Sequence, residues 1–373
     1  MKLFRCDNCS HMLYFENTKC GHCGRKLGYE PNTNRLVSLL DGPTVYTAPA
    51  LDGAKFVYCA NAAHGACNWL VPSEPGADPF CRACRHNDTV PNIDDPTDRS
   101  RWQVIERAKK RLFYSLLRLG LPLATRNEDP EHGLSFRFLS DDASTDPVMT
   151  GHEDGVITIA LEEADDAARE YRRTQFNEPY RTLLGHFRHE IAHHYWDILV
   201  GGKPTLGEFR QLFGDERADY GEALKAHYQS PPENWNQTYI SAYATSHPWE
   251  DFAETFAHYL HIVDTTEMAT AFGLRVHPDV DSTGEMSGRL DFDPYGPVNT
   301  NELIHNWIPL TSLINNLNRA VGQSDAYPFV LTPAIIEKLD FIARLIHDAG
   351  AMQWTVPGPD GPIAISSPNE AED

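Results

Sequence analysis

Residues 188–197 read Arg188-His189-Glu190-Ile191-Ala192-His193-His194-Tyr195-Trp196-Asp197. The stretch contains His-Glu-x-x-His inside an apolar segment that Gly201-Gly202 brings to a stop, so it is read as a helix from about 179 to 200, with Pro179 at its first turn. Four residues along a helix turn through about 400°, which puts His189 and His193 on one face, one turn apart. Two neutral imidazoles so placed can reach one zinc ion, and Glu190, about 100° further round, flanks the metal's water. A third protein ligand plus an open position would make the site catalytic. The expected chemistry is hydrolysis of an amide: zinc acidifies its water, and Glu190 takes the proton and passes it to the leaving amine.

Two glutamates compete as the third ligand. Glu216 lies in Phe213-Gly214-Asp215-Glu216-Arg217-Ala218-Asp219-Tyr220, and Glu250 in His247-Pro248-Trp249-Glu250-Asp251-Phe252-Ala253-Glu254. Glu250 is preferred, because Glu254 stands four residues further along the same helix face. One carboxylate can then bind zinc while the other accepts the N–H of a ligating histidine and fixes its tautomer. Tyr243, and with less support Tyr239, is a candidate donor to the developing oxyanion. His194, His227, His258 and His261 are read as ordinary packed histidines.

Working outward, the chain has 373 residues, 32 basic and 53 acidic, for a net charge of −21. Residues 1–100 carry 10 basic and 11 acidic groups against 22 and 42 in the remainder, so the acid excess belongs to the later part. Such a domain repels phosphate backbones, which disfavours nucleic acid as a partner, and would draw basic peptides. No apolar run is long enough to cross a membrane, and the first residues lack the apolar core of a secretory signal. The expectation is a cytoplasmic protein without membrane association.

All eight cysteines precede residue 85. Cys6-x-x-Cys9 and Cys20-x-x-Cys23 make two knuckles, the pattern of a zinc ribbon closed by four thiolates. About forty residues bury too little apolar surface to fold alone, so metal must supply folding energy. Cys59, Cys67, Cys81 and Cys84 form a second, less regular set, read as another structural zinc site with His64 and His86 as nearby competitors. The expected organisation is a ribbon at 1–40, a second cysteine module and linker at 41–95, a helical domain at 96–353 and a flexible acidic tail at 354–373. Within the domain, strands are expected at 134–139 and 155–161, helices from 99 (with Asp98 as cap), at 169–173, 215–228, 248–263, 300–320 and 333–348.

The ribbon, the His-Glu-x-x-His helix, Phe-Gly-Asp-Glu-x-x-Asp-Tyr at 213–220 and Ser-Ala-Tyr-Ala-Thr-x-His-Pro-Trp-Glu-Asp-Phe-Ala-Glu at 241–254 together resemble a bacterial family of zinc-dependent metallopeptidases with an N-terminal zinc-ribbon domain. The resemblance implies an α+β fold: a mainly helical zincin-like domain of the glutamate type with a small antiparallel sheet, preceded by zinc-ribbon modules. It implies His189, His193 and Glu250 as ligands of a catalytic zinc and Glu190 as base, and it supports Tyr243. It further implies that the strand at 155–161 is the edge along which an extended peptide lies. The leading expectation is a zinc endopeptidase with three zinc ions, one catalytic and two structural, acting on a peptide or protein, with ribbons that recognise substrate or a protein partner. The alternatives are a ribbon-based adaptor that binds a protein or nucleic acid and cleaves rarely, and hydrolysis of a non-peptide amide.

Overall fold

The computed structural model describes residues 2–42, 44–140, 148–167, 169–170, 182–230, 232–297 and 299–353. The tail expected at 354–373 lies outside the described residues, as do Pro179 and most of the helix expected at 169–173; the long helix expected from about 179 begins at Leu183, because Thr182 before it is extended.

The cysteine-bearing front is built from short antiparallel pairs. β1 (Phe4–Arg5) pairs with β2 (Met12–Leu13) around the first knuckle, and β3 (Lys26–Glu30) with β4 (Arg35–Leu39) after the second. The second knuckle closes through Gly24 at φ +74°, a conformation a side chain would oppose. β5 (Tyr46–Ala48), β6 (Ala54–Tyr58) and β7 (Leu70–Pro72) form a three-stranded antiparallel sheet. Tyr29 N–H donates to the Asn68 carbonyl and Asn68 Nδ2 to that of Phe15, so the two cysteine sets share one packed unit.

β8 (Asn87–Thr89) leaves that unit and enters the sheet of the helical domain, so the segment expected to be a linker starts as a strand. α1 (Pro96–Arg118) follows. Its cap is Asp95, not Asp98: the carboxylate accepts the N–H groups of Thr97 (2.8 Å) and Asp98 (3.0 Å), with proline at the first helical position.

The domain sheet has the order β10-β11-β9-β8, from β9 (Ser135–Leu139), β10 (Gly151–Glu153) and β11 (Val156–Ala160). It is mixed: β8, β9 and β11 run parallel, and β10 is antiparallel to β11. The strand expected at the edge, 155–161, is therefore interior as β11, and β10 is the edge. The cause is a tight turn, with Asp154 at φ 47° and Gly155 at φ 77°, that folds β10 back along β11. A Cβ on Gly155 would meet the Gly133 carbonyl oxygen at 2.5 Å, so only glycine fits.

Six further helices complete the α+β fold of the described residues: α2 (Leu183–Leu199), α3 (Leu206–Leu212), α4 (Tyr220–Gln229), α5 (Pro248–Ala271), α6 (Thr300–Ala320) and α7 (Pro333–Gln353), beside a short pair β12 (Arg275–Val276) and β13 (Gly288–Arg289). α2 and α5 lie against each other, with Tyr195 stacked on Phe256 and Trp196 edge-on to Trp249. α1 packs under α2 and the sheet through Phe113, Phe136 and Phe187. The core runs on into the front unit, where Phe15 meets Tyr114 of α1 at 5.4 Å. No helix among the described residues is long and apolar enough to cross a membrane.

Candidate active site

Each element that carries the site is started by a side chain that also fixes its position. Thr182 caps α2 by accepting the Gly185 N–H (2.9 Å). His247 caps α5: its Nδ1 accepts the Trp249 N–H (3.2 Å), so its Nε2 carries the proton and donates to the Ala218 carbonyl (3.1 Å). That second bond ties the approach to α4 onto the start of α5. Asp219 then caps α4 through the Glu222 N–H (2.9 Å), which leaves Tyr220 at the first helical position beside the site.

His189 Nε2 lies 3.2 Å from His193 Nε2 and 2.9 Å from Glu250 Oε2, and His193 Nε2 lies 3.6 Å from Glu250 Oε1. Donors held about 2.0–2.1 Å from a tetrahedral zinc stand about 3.4 Å apart, so two imidazoles and a carboxylate meet at the spacing of three of its corners. His189 Nδ1 sits 2.8 Å from Glu254 Oε1, whose other oxygen accepts the Ser241 hydroxyl at 2.6 Å. Burial works against charge here, yet Glu250 and Glu254 hold the His189 imidazole well above its usual value, and His193 and His189 hold Glu250 well below the carboxylate range. These opposed shifts describe a cation site: buried acceptors in want of positive charge.

Glu216 is not in this group. Both its oxygens receive the Arg210 guanidinium, with Nε–Oε2 at 2.9 Å. Tyr239 is also elsewhere, its ring 4.4 Å from the Lys338 ammonium that pairs with buried Asp251 at 2.6 Å. Tyr243 lies in the site, its ring centroid 5.8 Å from that of His189. Burial, and then Glu250, push its hydroxyl pKa up, so it remains a donor.

A cavity of about 360 Å³ opens over these groups, lined by Thr150 and, from β10, Gly151 and His152, by His189, Glu190, His193, Trp196 and Asp197 from α2, and by Tyr220, Tyr243, Trp249 and Glu250. Sequence reasoning assigned no site role to Tyr220, His152 or Asp197. Tyr220 donates its hydroxyl to Glu250 Oε1 at 3.0 Å. His152 lies on the edge strand, its ring 6.2 Å from His193, and Asp197 stands at the cavity wall. The Asp154-Gly155 turn signal would have revealed β10 and brought His152 to the helix.

The cysteines gather in two tetrads whose sulfurs all lie within 4.8 Å of one another, Cys6, Cys9, Cys20 and Cys23 in one, Cys59, Cys67, Cys81 and Cys84 in the other. Sulfur pairs stand 3.8 Å (Cys6–Cys23), 3.6 Å (Cys9–Cys20) and 3.7 Å (Cys67–Cys81) apart. A disulfide needs about 2.05 Å, whereas a tetrahedral zinc with bonds of about 2.3 Å spaces its sulfurs about 3.8 Å apart. Backbone N–H groups of Trp69 and Cys81 point at Cys67 and Cys59, both at 3.4 Å, and Lys110 Nζ lies 3.1 Å from Cys84. His86 faces the Leu134 carbonyl at 3.0 Å and His64 lies 6.2 Å, ring to ring, from Trp102; neither joins the tetrad.

Residues 98–345 match a family model described as "Putative zinc-binding metallo-peptidase", and residues 3–95 match one described as "zinc-ribbon domain". Uncharacterized proteins from Mycobacterium bovis and Mycobacterium tuberculosis are 41% identical over 350 residues, covering 93% of this chain and 96% of theirs. No solved structure matches.

Proposed function

The chain belongs to this zinc-binding metallo-peptidase family and carries its zinc-ribbon domain, and from that premise we propose that it is a zinc endopeptidase of the glutamate type, using His-Glu-x-x-His. The observation that carries the reading is the convergence of His189, His193 and Glu250 on one point, with Glu190 beside them on the same cavity. His189, His193 and Glu250 would hold a catalytic zinc. When bound, the metal supplies Lewis acidity, bringing the pKa of water towards neutrality and polarising the substrate carbonyl.

The remaining work falls to side chains. Glu190 accepts a proton from the attacking water on its carboxylate and delivers it to the leaving amine nitrogen. Tyr243, protonated at any working pH, donates its hydroxyl towards the oxygen on which charge develops. Glu254, held by Ser241, accepts the Nδ1–H of His189 and so leaves Nε2 free to bind metal. Gly151–Glu153, the edge strand beside α2 among the described residues, offers backbone groups to an extended peptide.

The two tetrads are assigned a structural zinc each, giving three per chain. The front unit is assigned recognition of substrate or of a protein partner, in a cytoplasmic enzyme; nucleic acid and membrane are not among the partners proposed. The test is Glu190→Gln assayed with total zinc. Hydrolysis should fall by about 10²–10⁴-fold while zinc stays at three per chain. Cleavage of peptides by that variant at the parent rate would overturn the mechanism.

A further inference from the structure

Among the described residues the cavity is lined by three carboxylates, Glu190, Asp197 and Glu250, and by no lysine or arginine. On the reading above, a doubly charged zinc is balanced by Glu250 and Glu190. Asp197 is then a surplus negative charge. Its carboxylate is 48% exposed, and its one close ring, His152, has Nε2 at 3.9 Å. That nitrogen already accepts the Gly155 N–H at 3.0 Å, so it bears no proton and is not a cation for Asp197. The other charges acting on Asp197 are those of His193, Asp154 and His132. No described Lys or Arg is among them.

Position follows from helix geometry. Asp197 is four residues after His193, so it stands one turn further along the face that carries the metal ligands. The wall between it and Glu250 is aromatic, with Trp196 and Trp249 in edge contact (5.4 Å) and Tyr220 beside Trp249 (6.4 Å). An aromatic wall ending in an unpaired carboxylate suits a group with an apolar stem and a cationic head, since the stem covers the rings and the head meets both carboxylate and π-face.

We propose that Asp197 and the Trp196/Trp249 wall form a specificity pocket for a cationic group of the peptide next to the scissile bond. The inference rests on the peptidase reading. The cation has two sources, a lysine or arginine side chain and a free α-ammonium group. Both offer the same chemistry to Asp197. A pocket contact of this kind differs from the bulk attraction of an acidic domain, because salt screens the latter within about 10 Å at 0.1 M while a desolvated pair persists.

The experiment compares quenched fluorescent peptides identical except for Lys, Arg, Leu or Glu at each position flanking the cleaved bond, with free and with acetylated N-termini, at low and high salt. Enzymes are the parent chain, Asp197→Asn and Asp197→Lys, each loaded with zinc. The basic peptides should exceed the acidic ones by about ten-fold in kcat/KM, Asp197→Asn should erase most of that margin, and Asp197→Lys should reverse it. A margin of Lys and Arg over Leu and Glu that survives acetylation assigns the side chain, and rates that are equal across the four residues but fall on acetylation in the parent chain and not in Asp197→Asn assign the α-ammonium. A leucine preference, rates equal across the four residues and indifferent to acetylation, or a margin unchanged in Asp197→Asn overturns the proposal while Glu190-dependent cleavage stands. Should no peptide be cut at all, the peptidase reading fails, and fluorescence anisotropy of the same peptides on zinc-loaded Glu190→Gln decides the pocket separately: tighter binding of basic peptides that Asp197→Asn abolishes supports it, equal binding sinks it.

Discussion

The cysteine tetrads and the His189/His193/Glu250 group are both sets of converging donors, but they differ in what surrounds them. Each tetrad supplies four sulfurs, enough to fill a tetrahedral shell, and is wrapped by its own backbone: Cys59, Cys81 and Cys84 are buried. The histidine–glutamate group supplies three donors and faces a cavity of about 360 Å³. A closed shell can only hold a fold together, whereas an open one leaves room for a reacting molecule. Energetically, the tetrads sit in a front unit of short strand pairs whose own separate core cluster is small, Val37, Leu39, Ala48, Phe56 and Leu70, the rest of its buried apolar side chains joining the core of the helical domain. The open group sits between two long helices whose aromatic contacts persist without it.

The sharpest way to break this comparison is to remove one donor from each kind of site. Cys81→Ser should cost one zinc and lower Tm by on the order of 10 °C, because metal ligation is folding energy for so small a unit. His193→Ala should also cost one zinc and abolish peptide hydrolysis, yet leave the far-UV circular dichroism and most of the Tm in place. Zinc analysis beside a thermal melt checks both. Equal Tm losses in the two variants would mean that the division into structural and open sites is mistaken.

How much of this could be read from the chain depends on how local the cause is. The helix carrying His189 and His193 and the helix carrying Glu250 and Glu254 were legible because one turn of helix sets the distance between i and i+4. The knuckles were legible for a like reason, with two residues between the ligands of each pair. What was missed depends on long-range closure. β10 and its edge position follow from where β11 pairs with β9, and the boundary between β8 and the cysteine unit from a parallel pairing 49 residues away, Asn87 with Phe136 being registered partners. Glu216 resembled a ligand in sequence, yet it is held by Arg210, six residues earlier in α3, so its carboxylate is taken up by a local ion pair that spacing alone did not reveal.

A smaller change sharpens the open site from behind. Glu254 touches no metal position directly but holds His189 Nδ1 at 2.8 Å, and is itself held by Ser241, which also accepts the Ala244 N–H at the turn bearing Tyr243. Glu254→Ala should weaken zinc affinity at this site about 10–100-fold, the usual effect of losing such a partner, and leave the two tetrads loaded. Competition with a chromophoric chelator resolves the weak site from the two tight ones. A uniform loss over all three would instead indicate general unfolding of the domain.

The smallest effect expected belongs to Tyr220, and it discriminates most finely between a packing role and a role at the open site. Its hydroxyl donates to Glu250 Oε1 at 3.0 Å, while Glu250 Oε2 faces His189. The bond therefore fixes which carboxylate oxygen is left for the metal position and holds the side chain against rotation. A hydrogen bond to a charged acceptor contributes about 1.5–3 kcal/mol when buried; Tyr220 is 38% exposed, which reduces this to about 1 kcal/mol. Tyr220→Phe should accordingly weaken zinc binding at the open site by about five-fold, with both tetrads and Tm unchanged, and saturating zinc should restore most of the activity. Activity that stayed low in saturating zinc would shift Tyr220 from positioning Glu250 to touching the substrate, which would place a second tyrosine beside Tyr243 in the reaction.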